Sequence, residues 1–204
     1  MQNFQERKLI LASTSPYRRE LLARLRVPFA TEAPGVEEQA LPGETPLAMA
    51  QRLALAKARA VSLRHLSHVV IGSDQVADLN GVALGKPGSF ASGLAQLAQM
   101  SGQSVTFHTA VAVVCAGSGF CAETLASVRV KFRVLERSEI ECYLRLEEPY
   151  DCAGSAKSEG LGIALLESIA SDDPTALVGL PLIRTSELLR QAGIAILGRR
   201  YASA

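Results

Sequence analysis

Two runs in the second half of the chain, VTFHTAVAVV (105–114) and SVRVKFRV (127–134), constrain the fold more than any other feature. Both are long enough for strands. The second alternates Val128, Val130 and Phe132 against Arg129, Lys131 and Arg133, the period of a strand with one buried face. They read as neighbouring antiparallel strands. Upstream, apolar runs alternate instead with helical patterns, so the chain joins early strand–helix alternation to later antiparallel pairing. That combination implies an α/β fold with a mixed sheet.

The remaining elements follow from local signals. Lys8–Ala12 reads as a short buried strand, followed by STSP, where Ser15 can cap a helix and Pro16 takes its first position. Leu21, Leu22 and Leu25 give that helix an apolar stripe. APGVEEQALPGETP (33–46) is a Pro/Gly-rich loop. The helix expected from Pro46 to Leu63 carries Met49, Leu53 and Val61 on one stripe, and Lys57 falls on the same stripe. Val69–Ile71 reads as a buried strand ending in Ser73-Asp74-Gln75, and Asn80-Gly81 marks a hairpin. Ser89–Met100 is helical, closed by Gly102. Ser138 and Glu141 suggest a capping box for a helix through Leu146. A strand is expected around Ile163–Leu166 and a last helix from Pro181 to Ala192, with Gly193 beyond it. The middle hairpins form a second lobe, leaving a cleft between the two lobes.

Composition excludes several classes. The 204 residues carry a formal charge of +1, which provides no global attraction to nucleic acid or anionic lipid. No run reaches the length of a membrane span. Residues 1–8 are polar and lack an apolar signal core, which predicts a cytoplasmic protein. Cys115, Cys121, Cys142 and Cys152 form no CxxC pair and no zinc-like spacing with His65, His68 or His108, so buried free thiols are expected.

Against this background a few residues stand out. Arg18 and Arg19 occupy the first turn of a helix, where the partial positive charge of free N–H groups disfavours cations. An anion bound by the loop and helix N-terminus reverses that objection, and a guanidinium suits phosphate oxygens; the alternative is a solvated surface pair. Asp74, at the carboxyl end of an apolar run, fits a metal ligand, a general base or a turn cap. Lys57 on an apolar stripe either snorkels to water, the commoner outcome, or reaches a buried anion. Lys86 in LGKP and Glu38 in the loop are equally readable as solvated residues. His108 suits a hydrogen-bonded structural role. The Arg129/Lys131/Arg133 ladder suits a solvated strand face, since no exposed aromatics interleave it. GLGIALLE lacks the Lys-Ser/Thr ending of a P-loop.

Taken together, LASTSPYRRELL, the acidic pair in GVEEQ, ALAKA, VVIGSDQV, LGKP, VTFHTAVAV, VKFR, EIECY and CAGSAKSEGLG resemble the Maf-like nucleoside triphosphate pyrophosphatases, in order and spacing, over nearly the whole chain. S-D-Q-V combined with K-S-E-G is similar to the 7-methyl-GTP branch rather than the dTTP/UTP branch. Ala110 departs from the family, which more often has glycine there, at a place expected to lie away from these motifs.

The resemblance implies a single domain over 1–204, with a largely antiparallel elongated sheet flanked by helices and two lobes around a cleft. It also implies cleavage between the α and β phosphates of a nucleoside triphosphate. Ser13, Ser15, Arg18 and Arg19 fall on the phosphate-binding motif, and Glu38, Lys57 and Lys86 on acidic and basic cleft positions. Asp74 falls on the proton acceptor, and Tyr17, Gln75 and Glu159 on positions that separate the branches by substrate. Glu38 and Asp74 would hold a divalent cation, magnesium or manganese. A cationic methylated base favours an aromatic face such as Tyr17, and the Glu159 carboxylate can accept from guanine's Watson–Crick edge while offsetting its charge. Expected partners are a nucleotide substrate and a second copy of the chain, with no nucleic acid and no membrane. Action on other nucleotides and a nucleotide-binding role in regulating septum formation are the alternatives.

Overall fold

The computed structural model describes residues 8–197; the start MQNFQER and the C-terminal GRRYASA lie outside the described residues. Strand β1 (Leu9–Ala12) is buried along its whole length, as an apolar run flanked by neighbours on both sides must be. Helix α1 (Pro16–Ala23) starts where Ser15 turns extended and its hydroxyl accepts from the Arg18 N–H. Strand β2 (Phe29–Glu32), which the sequence reading did not include, is a half-exposed edge too short to show a period. Helix α2 (Pro46–Ser62) is capped by the Thr45 hydroxyl. Strands β3 (Val69–Leu79) and β4 (Val82–Leu84) make the Asn80-Gly81 hairpin, with φ of +55° and +84° at the two turn residues.

Helix α3 (Phe90–Met100) precedes the long strands β5 (Ser104–Cys115) and β6 (Phe120–Phe132). Helix α4 (Arg137–Glu147), strand β7 (Leu166–Ala170) and helix α5 (Leu182–Gln191) complete the order. Two expected boundaries move. The α4 start is Glu136, whose N–H donates to Glu139 Oε2 at 3.0 Å, so Ser138 and Glu141 are not its box. Residues 161–165 form a tight 3-10 turn, and the last strand follows them.

The seven strands run β2-β1-β3-β5-β6-β7, with β4 paired to β3. β1 is parallel to β2 and β3, and every other pairing is antiparallel. The result is the expected mixed, largely antiparallel sheet with helices on its faces.

Two large apolar cores lie along the sheet. One gathers Leu9, Leu11, Ile71, Val111 and Val113 against α1 and α5. The other gathers Phe107, Val128 and Phe132 against Leu97 and Met100 of α3 and Ile140 and Leu144 of α4. Each fully buried Leu or Phe contributes about 1.5–3 kcal/mol. Strands β3 and β5 pass through both cores, and helix α2 covers the opposite face where one core gives way to the other. Gly72 is what lets α2 lie so close. A Cβ there would collide with the Ala54 carbonyl and the Ala58 nitrogen of the helix.

Of the four free cysteines only Cys115 is buried; Cys121 and Cys142 are exposed and Cys152 is half-buried, which corrects the expectation of uniformly buried thiols. His108 has its structural role, within hydrogen-bond reach of Ser127 and Asp78.

Candidate active site

Residues one apart on a strand face opposite ways, and this separates the functions of Ser73-Asp74-Gln75. Asp74 shares the face of Gly72 and Val76, toward α2. It lies in the middle of β3, not at a carboxyl end, because the strand continues into the β4 hairpin; its parallel neighbour β1 has already stopped at Ala12. Its antiparallel partner is Ala110, so the position that departs from the family pattern lies directly opposite the acid rather than away from the motifs.

Lys57 does not snorkel. It is 4% exposed, and its Nζ lies 2.6 Å from Asp74 Oδ1 and 2.5 Å from Glu38 Oε1. One ammonium thus gathers two carboxylates at the floor of the cleft. Burial pushes the Glu38 pKa up, but its hydrogen bond to Lys57 and the charges of Lys57, Lys86 and Arg18 outweigh this and hold it below the usual carboxylate range.

Glu38 arrives on a loop without regular structure, strapped to α2 at both ends. The Arg52 Nε and Nη2 groups donate to Glu44 at 2.5 and 2.7 Å, and Nη2 also donates to the Gln39 carbonyl at 2.9 Å. Arg64, just past the helix, donates to Glu32 at 2.7 Å and to the Ala33 carbonyl at 2.9 Å. Cations at 52, 57 and 64 therefore meet acids at 44, 38 and 32, and the loop runs antiparallel to the helix with Glu38 in the middle rung.

The cleft is a cavity of about 530 Å³ lined by Ser13, Ser15, Tyr17, Arg18, Glu38, Lys57, Asp74, Gln75, Lys86 and Glu159. Arg19 is not brought there. Successive helix residues project about 100° apart, so Arg18 enters the cavity while Arg19 lies exposed over a separate depression beside Phe29 and Val27. Burial lowers the Arg18 pKa, opposed by the nearby charges of Asp74 and Glu38.

The turn at 176–179 forms one wall. Arg18 Nε donates to the Gly179 carbonyl at 2.9 Å, as does the Ser73 hydroxyl at 3.1 Å. Gln75 Nε2 donates to the Ala176 and Leu177 carbonyls at 3.0 and 2.9 Å. The amide of Gln75 thus holds the wall it lines.

At the other end Tyr17 Oη donates to Asp151 Oδ2 at 3.3 Å, and the Lys157 ammonium stands 5.6 Å from the centre of the Tyr17 ring. Burial, with Cys152 and Asp151 adding to it, pushes the Tyr17 hydroxyl up to about 12.

Among the described residues no group of three or more His, Cys, Asp or Glu side chains is placed to hold a metal. Two carboxylates on one ammonium fit a more limited task. Magnesium in nucleotide sites takes one or two carboxylates and completes its shell with substrate phosphates and water, and Glu38 and Asp74 supply those hard oxygen donors.

This arrangement of acid, base and arginine lies within a stretch, residues 8–192, that matches the family model described as Maf-like protein. The chain belongs to the Maf-like family. Relatives of this Maf-like chain include proteins named 7-methyl-GTP pyrophosphatase. That of Albidiferax ferrireducens is 66% identical over 95% of this chain and 97% of its own length. That of Xanthomonas campestris pv. campestris is 58% identical over 93% and 98%. Among solved structures, a HAM1 protein from Coxiella burnetii aligns over 62% of this chain and 73% of that one, at 15% identity and a TM-score of 0.45.

Sequence reasoning missed four members of the Maf-like cleft surroundings: Arg52, Glu147, Asp151 and Lys157. Arg52 and Glu147 are charges on helices, indistinguishable in a sequence from solvated ones. Lys157 lies inside the K-S-E-G motif, two positions before Glu159, and its motif position alone does not show that it faces Tyr17.

Proposed function

We propose that this chain hydrolyses 7-methyl-GTP to 7-methyl-GMP and diphosphate, its two lobes working as one domain around the cleft. The observation that carries the reading is the Glu38–Lys57–Asp74 cluster at the floor of a cavity that Arg18 and Lys86 also line. The names of the relatives at 58–66% identity agree with it.

The triphosphate enters on the side of the Ser13–Ser15 loop, where helix α1 presents its N-terminus. Arg18 is anchored through Nε, which fixes the guanidinium in place before the anion arrives. Lys57 is buried, so a phosphate oxygen meets a donor with little water to displace, and charge-assisted bonds are strong in such surroundings. Lys86 closes over the outer phosphates from the exposed loop after β4, and Arg19 contributes through the field outside the cavity. Glu38 and Asp74 would hold a magnesium or manganese ion, which when bound neutralises the phosphate charge that builds up during displacement. Asp74 orients the attacking water and takes its proton, a role that contributes typically about 10²–10⁴-fold in rate.

Base recognition belongs to the part of the lining formed by Tyr17, Gln75 and Glu159. Tyr17 and Gln75 shape the slot, and Glu159 accepts hydrogen bonds from the guanine edge while offsetting the positive charge of the methylated ring. The nucleotide is the partner, a homodimer the assembly and the cytoplasm the compartment in this reading; no helix among the described residues is long and apolar enough to cross a membrane.

Product analysis tests the proposal. Purified protein with magnesium or manganese and a panel of methylated and unmethylated nucleotides should release 7-methyl-GMP and diphosphate in equal amounts. Orthophosphate with 7-methyl-GDP would place the cut elsewhere, and nucleotide binding without turnover would favour a regulatory role.

A further inference from the structure

The motif turn that carries Glu159 is held from behind by a residue no motif contains. Glu147, the last residue of α4, places one carboxylate oxygen 2.9 Å from Lys157 Nζ and accepts the Leu161 N–H with the other at 2.7 Å. The two bonds bracket Glu159, at the apex of a turn closed by the Gly160 N–H donating to the Lys157 carbonyl at 3.1 Å. Gly160 is required for this approach: a Cβ there would lie 2.7 and 2.8 Å from the two Glu147 oxygens. The backbone of Lys157 is also fixed, its N–H donating to the buried Tyr143 hydroxyl at 3.0 Å.

Lys157 extends the tie to the other side of the cavity, because its ammonium also stands over the Tyr17 ring. Tyr17 belongs to the first turn of α1, and its hydroxyl is steadied by Asp151. A single ion pair, with side chains 25% and 16% exposed, therefore links the aromatic on one wall to the acid on the other. Resting on the substrate reading above, we propose that the Glu147–Lys157 pair is a positioning device for base selection. It sets the spacing between Tyr17 and Glu159, so that the slot for a cationic purine exists before the nucleotide arrives. The pair is close to neutral as a unit, so its contribution is geometric rather than a local charge acting on the base.

This distinction makes the inference testable. Glu147→Gln, Lys157→Met and the double variant are compared with wild type by kcat/KM for 7-methyl-GTP and for UTP, with thermal melts to verify folding. Each should lower the value for 7-methyl-GTP about tenfold and that for UTP by under about threefold, the size expected when a side-chain network is broken. Lys157→Arg, which keeps the pair, should restore most of the preference. The double variant preserves the net charge and leaves no unpaired charge, so it isolates the geometry. A double variant with the wild-type ratio, or a Lys157→Met variant with a raised ratio, would overturn the inference. Failure of the substrate reading itself would show in the wild type, as no preference for 7-methyl-GTP over UTP.

Discussion

Asp74 and Lys57 share a site that water barely reaches, and because Lys57 also holds Glu38, losing the Lys57 charge does more damage than losing that of Asp74. Removing one member of such a pair typically costs about 3–5 kcal/mol, because the partner is left buried and uncompensated. Asp74→Asn is the milder change, since the amide keeps a carbonyl oxygen for the Lys57 ammonium. Diphosphate release should vanish in that variant while nucleotide binding, measured by calorimetry, stays within a few-fold of wild type. The two arginines should separate sharply. Arg18→Ala should raise KM and lower kcat, with a combined loss on the order of a hundredfold, as expected for a charge-assisted anchor, whereas Arg19→Ala should cost under about threefold, as exposed charges do. Equal losses in steady-state kinetics would mean that both guanidinium groups reach the triphosphate.

Helix α2 acts as the spine to which the Glu38 loop is tied. One outer rung is Arg52–Glu44, where the hydrogen bonds from Arg52 hold the Glu44 carboxyl at about 2 instead of 4.5. A carboxylate whose pKa is depressed by folding contributes stability that is complete above its unfolded pKa and disappears as pH falls through its folded one. Arg52→Gln should therefore lower the urea midpoint by a constant amount near neutrality, and the gap from wild type should close between pH 4.5 and about 2. The same variant should need more manganese for half-saturation, read by metal titration of the free protein, because Glu38 loses the rung next to it. A gap that persists at low pH would assign the stability to something other than this pair.

Across the whole molecule, the cleft sits where strands β3 and β5 pass from one apolar core to the next, with walls from segments far apart in the chain. Binding there should tighten the entire fold. A non-hydrolysable nucleotide at a hundred times its Kd adds about 2.7 kcal/mol by mass action, which for a chain of this size is a rise in Tm of roughly 5–10 °C. Arg18→Ala should lose most of that rise in a thermal melt. A full shift in the variant would place the nucleotide outside this cavity.

Local physics made much of this protein legible in its residues alone. Capping at Ser15, the Asn80-Gly81 turn, the period-two strands and the helical stripes are decided by neighbours a few positions away, so elements and fold class follow from the order of the side chains. The candidate residues were legible too, through their motif order. What needed the tertiary structure was everything set by distant contacts. Arg18 enters the cavity and Arg19 does not because the Gly179 carbonyl that receives Arg18 lies 161 residues on. Lys57 reaches a buried acid rather than water because Gly72 draws α2 onto the sheet. Glu147 matters because the chain folds back to place Lys157 and Leu161 against it, and no helical pattern records where a surface charge finds its partner.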